Sequence, residues 1–526
     1  MKVLVCDKLS EKGLAVFQAE PGLEVDVKLN QTEDEICAIA AEYHGMVVRS
    51  STKITQKIMD SATQLKVIGR AGVGIDNIDV DYATKKGIVV VNTPDGNTVS
   101  AAELTVGMML ALSRNIPQAD QSLRQGKWDR SKYTGVEMRN KTLGIMGFGK
   151  IGSHVGKICK AMGMNILVYD PFLPEEVAKQ AGVEMATKEK IYQESDYISF
   201  HMPLNSETRH MVTKEQFAMM KDGVRIINVA RGGLIDENDL YDAIVSKKVA
   251  GAAIDVFEKE PQTESPLFTL PEVVVTPHLG ASTTEAQVNV AIDVAHEMIR
   301  VLKGEPAQSA VNIPFIKPEQ IETMKPYMDL IERLGKLSAS LAEGPVDTIE
   351  IKYMGELANK ETKSLTNTFL KGMLRPFLHD NINYVNAPIV AKSRGIKVNE
   401  IKTVDSEDYT NQICVNFKGK DWSRSIDATV FKNNEPRILR IDEFALDIQP
   451  TGYLVIMTHN DRPKMVGNVG TILGDHDINI AGMQLNRSEV GGKAMMILTV
   501  DHEVDEKVME KITALPGCLT ATCVAF

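Results

Sequence analysis

Between residues 141 and 278, short apolar runs alternate with helical segments, and this alternation constrains the fold more than any other feature of the sequence. The runs KTLGIMGF, NILVYD, DYISFHMP, VRIINVAR, VAGAAIDVF and EVVVTPH have the length and composition of buried strands. Segments such as KIGSHVGKICKAMG between them are predicted to be helices. Strands and helices that alternate in this way form a parallel sheet covered on both faces, so the pattern predicts a doubly wound α/β fold.

The segment GFGKIG opens the helix that follows the first of these strands. In a strand–turn–helix context, Gly147 permits the tight turn, Gly149 lets a pyrophosphate approach the backbone, and Gly152 lets helix and strand pack closely. Free N–H groups at the start of the helix, together with its dipole, then bind the phosphates. The alternative is that the glycines serve packing alone. The predicted cofactor-binding positions of this segment are Gly147, Gly149, Lys150, Ile151 and Gly152.

Asp170 ends the next strand, NILVYD. Its carboxylate suits the two ribose hydroxyls of NAD and repels the 2′-phosphate of NADP. NAD is therefore the predicted cofactor.

Three polar side chains follow strands of the same predicted sheet. Arg231 ends IINVAR, Glu260 follows AAIDV, and His278 lies at the tip of VVVTPH. Ligands bind beyond the carboxyl ends of such strands, so the three side chains are expected to face the cofactor crevice. An imidazolium donates a proton to a carbonyl that receives a hydride, a carboxylate favours that charged form, and a guanidinium holds a substrate carboxylate. Separately, each has a plainer reading as a strand-end polar residue, a surface ion pair or a solvated loop residue.

The order of GFGKIG, YDP, NVARGG, DVFEKEP and TPHLGAST resembles the NAD-dependent D-2-hydroxyacid dehydrogenase family. The resemblance implies that Arg231 anchors the substrate carboxylate, that Glu260 is the partner of His278, and that His278 is the acid–base. It also implies cofactor contacts near the nicotinamide at Ala230, Asp255, His278 and Gly280.

Residues of the N-terminal quarter are implied to bind substrate. RSSTKI, which starts at Arg49, resembles the phosphate-contacting segment of D-3-phosphoglycerate dehydrogenases, although a surface salt bridge is the alternative for Arg49. In RAGVG, backbone N–H groups can hold a carboxylate. Arg130 and Lys132 are further candidates for reaching the site of a neighbouring subunit. The substrate positions are Arg49, Ser50, Arg70, Val73, Gly74 and Asn97.

The last 200 or so residues extend beyond a bare dehydrogenase. Residues 380 to 396, DNINYVNAPIVAKSRGI, resemble the intervening domain of long-form phosphoglycerate dehydrogenases, which is a regulatory anion site or a spacer. The final segment follows a βαββαβ pattern and resembles an ACT domain, with candidate serine ligands at His459, Asp461 and Asn479. Asp461 and Lys464 depart from the family, which often has Asn at the first position and usually has Gly at the second. Two alternatives therefore stay open: the domain binds serine, or it serves assembly alone.

A chain of 526 residues is too long for one hydrophobic core. The resemblance implies a substrate-binding domain of flavodoxin type at 1–97 and 281–312, split by a Rossmann NAD domain at 98–280. An α/β intervening domain at 313–450 and a ferredoxin-like ACT domain at 451–526 follow. Residues 97 to 126 are predicted to form one long helical stretch.

Composition excludes several classes of protein. A net charge of −11 disfavours broad nucleic-acid or acidic-membrane binding. The sequence has no long apolar run and no signal-peptide pattern, so no membrane helix is expected. Its six cysteines have no CxxC spacing, which argues against a zinc ribbon or a disulfide framework, and no metal site is predicted. A reducing cytoplasm is predicted, and the resemblance suggests a homotetramer, or at least a dimer.

The resemblance implies NAD-dependent oxidation of 3-phospho-D-glycerate to 3-phosphohydroxypyruvate, the first step of the phosphorylated pathway to L-serine. Reduction of 2-oxoglutarate is a possible side activity. Two alternatives are another D-2-hydroxyacid dehydrogenase, acting on glycerate, lactate or 2-hydroxyglutarate, and a non-catalytic scaffold that senses NADH.

Overall fold

The computed structural model describes residues 1–378, 382–406 and 409–526, and contains four β-sheets. The N-terminal sheet has five parallel strands in the order β2-β1-β3-β4-β5, the flavodoxin-like order. Its strands are β1 (Lys2–Val5), β2 (Glu24–Val27), β3 (Gly45–Val48), β4 (Val67–Arg70) and β5 (Val89–Val91). The connecting helices are α1 (Glu11–Gln18), α2 (Glu33–Ile39), α3 (Gln56–Ser61) and α4 (Val80–Lys86).

Two helices, α5 (Thr98–Ser113) and α6 (Ile116–Arg124), lead from the N-terminal sheet to the next one. The prediction of one unbroken helix here was wrong. Asn115, at φ 51°, is in the left-handed region, where the helix cannot continue.

The central sheet confirms the predicted doubly wound fold. All seven strands are parallel, in the order β12-β11-β10-β9-β6-β7-β8, and the strand order reverses between β6 and β9. The strands are β6 (Thr142–Met146), β7 (Asn165–Tyr169), β8 (Glu184–Met185), β9 (Tyr197–Phe200), β10 (Val224–Asn228), β11 (Val249–Ile254) and β12 (Val273–Val275). The helices are α7 (Lys150–Ala161), α8 (Glu175–Ala181), α9 (Lys188–Glu194), α10 (Lys214–Met219) and α11 (Glu237–Val245).

After the central sheet, helix α12 (Thr284–Leu302) returns to cover the N-terminal sheet. Its apolar face carries Ala291 and Met298, both fully buried. Ala291 packs so closely on Gly13 of α1 that a Cβ there would lie 2.5 Å from it. The segment after α12 then pairs with β5 through a bridge between Val91 and Ala310.

The mixed sheet comes next, in the order β14-β13-β15-β16-β17-β18. It comprises β13 (Thr348–Gly355), β14 (Lys397–Thr403), β15 (Asn411–Lys418), β16 (Ser423–Val430), β17 (Pro436–Ile441) and β18 (Phe444–Ile448). Its helices are α13 (Pro318–Leu341), α14 (Lys363–Leu374) and α15 (Ala387–Ser393). Of the segment 380–396, Asp380 and Asn381 lie outside the described residues. Asn383 of this segment donates a 2.7 Å hydrogen bond from Nδ2 to the carbonyl of Gly87.

The C-terminal sheet confirms the predicted βαββαβ pattern. It is antiparallel, in the order β20-β21-β19-β22. Its elements are β19 (Tyr453–Asn460), α16 (Met465–Gly474), β20 (Ile480–Arg487), β21 (Lys493–Val500), α17 (Glu506–Thr513) and β22 (Cys518–Ala525). Within the described residues, no helix is both long and apolar enough to cross a membrane.

Candidate active site

His278 and Glu260 form a hydrogen-bonded pair, with His278 Nδ1 2.6 Å from Glu260 Oε2. His278 lies beyond the end of β12 rather than on its tip, because the strand ends at Val275. Its φ of 54° turns it out of the strand direction. The imidazole is 47% exposed; Nδ1 is held by the carboxylate, and Nε2 has no hydrogen-bond partner among the described residues.

Glu260 is kept ionised by its neighbours. Burial acts to raise the pKa of this carboxyl, but hydrogen bonds from His278 and from the Phe257 N–H outweigh it and hold the pKa below its usual value. The positive charge of Arg231 acts in the same direction. An ionised Glu260 stabilises the protonated imidazole of His278.

Asp255 supports the loop that carries His278. It is fully buried, and its carboxylate accepts hydrogen bonds from Thr276 Oγ1 (2.5 Å), Leu279 N (2.7 Å) and Gly280 N (2.9 Å). The His278 N–H donates to the Asp255 carbonyl at 2.9 Å. Burial raises the pKa of Asp255, in spite of these bonds. Asp255, which was predicted to lie near the nicotinamide, therefore uses its carboxylate oxygens to position the loop.

Arg231 extends from the central sheet to a loop of the N-terminal sheet. It lies beyond β10, which ends at Asn228, so the prediction that it ends the strand was wrong; its carbonyl accepts from Asn228 Nδ2 at 2.8 Å. Its Nε is 3.3 Å from Asp76 Oδ2, and a Cβ on Gly74 would lie 2.2 Å from its Nη2. The guanidinium thus lies in the cleft between the two sheets.

Two further arginines face the same region. Arg70 ends β4, and its pKa is lowered to about 10, chiefly by burial and then by the positive charge of Arg231. Arg49 adds to the lowering. Arg70 Nε has no hydrogen-bond partner among the described residues. Three guanidinium groups brought together from separate strands form a site for an anion.

The loop that holds Arg49 and Ser50 is organised by Asp7. The Asp7 carboxylate accepts from Arg49 N (2.6 Å) and from Thr52 Oγ1 (2.8 Å). Ser50 is exposed beside them. Sequence reasoning missed Asp7, yet the signal was present, because Asp7 follows a buried strand just as the predicted site residues do.

The glycine-rich segment has the geometry that a dinucleotide requires. Gly147 has φ 95° after β6, and a Cβ on Gly152 would lie 2.1 Å from the Gly147 carbonyl oxygen. Among the described residues, and apart from the neighbouring backbone, no atom lies within 4 Å of where a Cβ on Gly149 would stand, so that position is open to a phosphate. Helix α7 begins at Lys150, and Ile151 follows in its first turn. These residues fit a pyrophosphate at the helix N-terminus.

Asp170 lies beside the same turn. Its Oδ2 accepts from Phe148 N at 2.8 Å, and an open depression of about 550 Å³ adjoins it. Lys150 forms an ion pair with Asp95 of the N-terminal half, which the sequence did not predict. Ala230 and Gly280 follow β10 and β12 on the same edge of the sheet.

Asn97 and His201 are two further polar residues at the ends of elements, one just before α5 and one just after β9. Asn97 precedes helix α5, and its buried Oδ1 has no partner among the described residues, as expected of a group kept for a ligand. His201, which sequence reasoning missed, follows β9 at the point where the strand order reverses. Burial lowers its pKa to about 4, and its ring bonds Ser199 Oγ at 2.8 Å, so it stays neutral near pH 7.

The three candidate effector residues of the C-terminal sheet are not linked by hydrogen bonds in the part of the chain that the structure describes. His459 is buried and bonds the Asn460 carbonyl through Nδ1. Asp461 accepts from Arg487 Nη1 at 3.0 Å, and Asn479 donates to Asp501 at 2.9 Å. Arg130 and Lys132 are exposed on a 3-10 turn, Arg130–Tyr133.

Comparison with known families divides the chain into three matched regions. The NAD binding domain of D-isomer specific 2-hydroxyacid dehydrogenases matches residues 106–280. The D-3-phosphoglycerate dehydrogenase intervening domain matches residues 323–442, and the ACT domain matches residues 453–517.

Relatives match over the whole chain. D-3-phosphoglycerate dehydrogenase of Methanocaldococcus jannaschii is 47% identical over 518 residues, covering 98% of each chain. The protein of the same name from Archaeoglobus fulgidus is 44% identical and covers both chains completely. Among solved structures, D-lactate dehydrogenase of Aquifex aeolicus, complexed with NAD and lactic acid, is 28% identical with a TM-score of 0.54. That likeness covers 59% of this chain and 99% of the other.

Proposed function

The chain belongs to the D-3-phosphoglycerate dehydrogenase family, and we propose that His278, Glu260 and Arg231 carry out its reaction. The reaction is the NAD-dependent oxidation of 3-phospho-D-glycerate to 3-phosphohydroxypyruvate, which begins the phosphorylated pathway to L-serine. The observation that carries the assignment of residues is the His278–Glu260 pair, at 2.6 Å, open to a cleft that also holds three arginines.

His278 acts as the acid–base. When bound, NAD supplies the acceptor for the hydride that leaves C2 of the substrate. His278 Nε2 takes the proton of the C2 hydroxyl, because Nδ1 is already bonded to Glu260. The Glu260 carboxylate stabilises the imidazolium that results. In the reverse direction the same imidazolium returns the proton to the carbonyl oxygen.

The arginines orient the substrate. Arg231 holds the carboxylate, together with the N–H groups of Val73 and Gly74. Arg49 and Ser50 hold the phosphate at the outer end of the cleft. Arg70, between the two groups, adds positive charge that burial makes strong. Asn97 Oδ1 accepts a hydrogen bond from substrate or from the cofactor amide.

The cofactor positions follow from the same geometry. Its phosphates bind at the start of α7, on the segment Gly147, Gly149, Lys150, Ile151 and Gly152. Asp170 binds the adenosine ribose, and Ala230 and Gly280 lie along the nicotinamide. Asp255 acts indirectly, through the loop that carries His278.

A matched pair of variants tests the role of His278. His210 forms a second histidine–carboxylate pair, 2.8 Å from Glu258, and both histidines have positive φ, which asparagine tolerates. We expect His278→Asn to lower kcat by at least about 10³-fold while NADH binding survives. His210→Asn should retain kcat within about threefold. Turnover by His278→Asn within a few-fold of wild type would refute the assignment.

Substrate choice is tested by NADH oxidation with 3-phosphohydroxypyruvate, hydroxypyruvate, pyruvate and 2-oxoglutarate. The three arginines predict a kcat/KM for the phosphorylated ketoacid that is orders of magnitude higher than for the other three acids. A higher kcat/KM for an unphosphorylated acid would contradict the assignment of Arg49 to a phosphate site. An NADH-sensing scaffold would bind NADH and scarcely consume it.

We also propose the wider organisation that the sequence suggested. The division is a substrate-binding domain at 1–97 and 281–312, an NAD domain at 98–280, an intervening domain at 313–450 and an ACT domain at 451–526. The return of α12 to the N-terminal sheet supports the split first domain. Six free thiols support a reducing compartment such as the cytoplasm. We propose that the protein self-associates as a homotetramer. Its molar mass from light scattering would test this.

L-Serine is the proposed effector of the ACT domain, bound near His459, Asp461 and Asn479. The buried Nε2 of His459, which has no partner among the described residues, supports a ligand there. Asn479→Ala should abolish inhibition by serine and leave the basal rate unchanged. Persistent inhibition would place the effector elsewhere.

A further inference from the structure

Two carbonyl groups of the loop at residues 71–75 are held from one side by the segment that follows β5. The Thr93 N–H donates to the Gly72 carbonyl at 3.1 Å. Asn92 Nδ2 donates to the Val73 carbonyl at 2.6 Å. Asn92 and Thr93, which follow β5, thus bind two consecutive peptide groups of a loop that lies in the cleft.

A trans peptide directs its C=O and its N–H in opposite directions. The Gly72 carbonyl shares a peptide with the Val73 N–H, and the Val73 carbonyl shares one with the Gly74 N–H. Holding both carbonyls therefore turns both N–H groups away from Asn92 and Thr93. Neither N–H has an acceptor among the residues that the structure describes. The guanidinium of Arg231 lies against Gly74, next to this pair of donors.

We propose that Asn92 is a positioning residue for the substrate carboxylate. Its side-chain amide fixes the Val73–Gly74 peptide so that the Gly74 N–H donates to the carboxylate beside Arg231. The inference rests on the proposed function, because the carboxylate is that of the substrate. The backbone N–H of Thr93 fixes the direction of the Val73 N–H in the same manner.

Asn92 is itself held firmly. It is 9% exposed, its N–H donates to the Ser309 carbonyl at 3.2 Å, and its carbonyl accepts from Ser309 Oγ at 2.7 Å. The Ser309 N–H in turn donates to Glu297 Oε2 at 2.8 Å, and Glu297 is a buried carboxylate of helix α12. A donor fixed on both sides aligns the loop before substrate binds, so binding costs little ordering.

The alternative is that Asn92 only satisfies a buried carbonyl. Asn312 offers a matched control, because its Nδ2 donates to the Ile88 carbonyl at 2.8 Å and to Thr84 at the other end of β5. Asn92→Asp and Asn312→Asp each replace an amide donor by an oxygen of the same shape. Only the first faces the carboxylate loop.

The experiment measures KM and kcat for 3-phosphohydroxypyruvate, the Kd of NADH by fluorescence, and the thermal midpoint, in the full-length protein. We expect Asn92→Asp to raise KM by about 10- to 100-fold, because a charge-assisted hydrogen bond is lost. kcat should change less than KM, and the Kd of NADH should stay within about twofold. Asn312→Asp should lower the thermal midpoint with an unchanged KM.

Asn92→Ala carries the same prediction and serves if the aspartate variant does not fold. A KM within about twofold of wild type in the folded Asn92 variant overturns the inference. So does an equal rise in KM for Asn312→Asp, since the effect would then be one of general stability. If the wild-type protein itself does not turn over the phosphorylated ketoacid, the proposed function fails, a result that is distinct from either of these.

Discussion

Glu260 divides its carboxylate between two partners, with Oε2 2.6 Å from His278 Nδ1 and Oε1 3.0 Å from the Phe257 N–H. One oxygen fixes the carboxylate to its own loop, and the other orients the imidazole. The pair is therefore preorganised before substrate arrives, and the charge of the carboxylate can be removed while its shape is kept.

Glu260→Gln retains the shape of the pair and removes its negative charge. We expect kcat to fall by about 10- to 100-fold, because the amide does not stabilise an imidazolium. The rate of ketone reduction measured near neutral pH checks this. A kcat within about twofold of wild type would contradict the role given to Glu260.

The lowered pKa of Glu260 also predicts how stability depends on pH. Because the folded pKa is below its ordinary value of 4.5, the carboxylate stabilises the fold fully above that pH. The contribution is lost as pH falls through the lowered value. The difference in thermal midpoint between wild type and Glu260→Gln should therefore shrink as the pH falls below about 4.5. A difference that grows over that acidic range would mean that the sign is wrong.

Asp170→Asn should relax the preference for NAD over NADP. Repulsion of the 2′-phosphate is removed, so the ratio of kcat/KM for NADP to that for NAD should rise at least about tenfold. Asp196→Asn is the control, because Asp196 accepts from the Thr142 N–H at 2.8 Å, at the start of β6 rather than its end. If both variants change the ratio equally, the effect does not arise at the ribose.

Arg70 predicts a response to anions. Its pKa of about 10 records burial beside Arg231 and Arg49, a cost that a bound anion relieves. Inorganic phosphate should raise the thermal midpoint of the wild type, and Arg70→Met should raise the midpoint without phosphate while reducing the shift. The exposed Arg124, paired with Asp120, supplies the control variant Arg124→Met. An undiminished phosphate shift in Arg70→Met would contradict this.

Lys464 is at φ 71° immediately before helix α16, a conformation that favours glycine. Lys464→Gly should stabilise the protein by up to about 1 kcal/mol, because left-handed strain is removed and the flexibility of glycine offsets part of the gain. It should also increase sensitivity to L-serine by opening the helix N-terminus. Urea unfolding and inhibition curves test the two parts. Weaker inhibition in the variant would show that the lysine contributes to binding.

Patterns local in sequence predicted most of the fold. The strand–helix alternation and GFGKIG predicted the central sheet, and the βαββαβ order predicted the C-terminal sheet. Local pattern failed at Asn115, where one left-handed residue breaks a run that is otherwise helical throughout. It also failed on where β10 ends, because apolar residues continue past Asn228 although strand pairing stops there.

The site was predicted as separate residues, and not as an arrangement. Arg49 and Arg231 lie beyond the ends of two strands and Arg70 ends a third. Their mutual approach depends on how two sheets pack, which spacing along the chain does not encode. The roles of Asp255 and Asp7 depend on which backbone N–H groups remain without a partner in the folded loops. Only the three-dimensional loops reveal those donors.

The packing of α12 on the N-terminal sheet has a consequence for synthesis. Its core is completed by Ala291, Val294 and Met298 of α12, and Ser309 bonds Asn92 across 217 residues of sequence. A chain leaving the ribosome therefore exposes one apolar face of its first five strands until the whole central sheet has been translated. Contacts so distant in sequence fold slowly, and the central sheet is complete before the sheet that precedes it. The first residues made are thus among the last of the catalytic half to become stable.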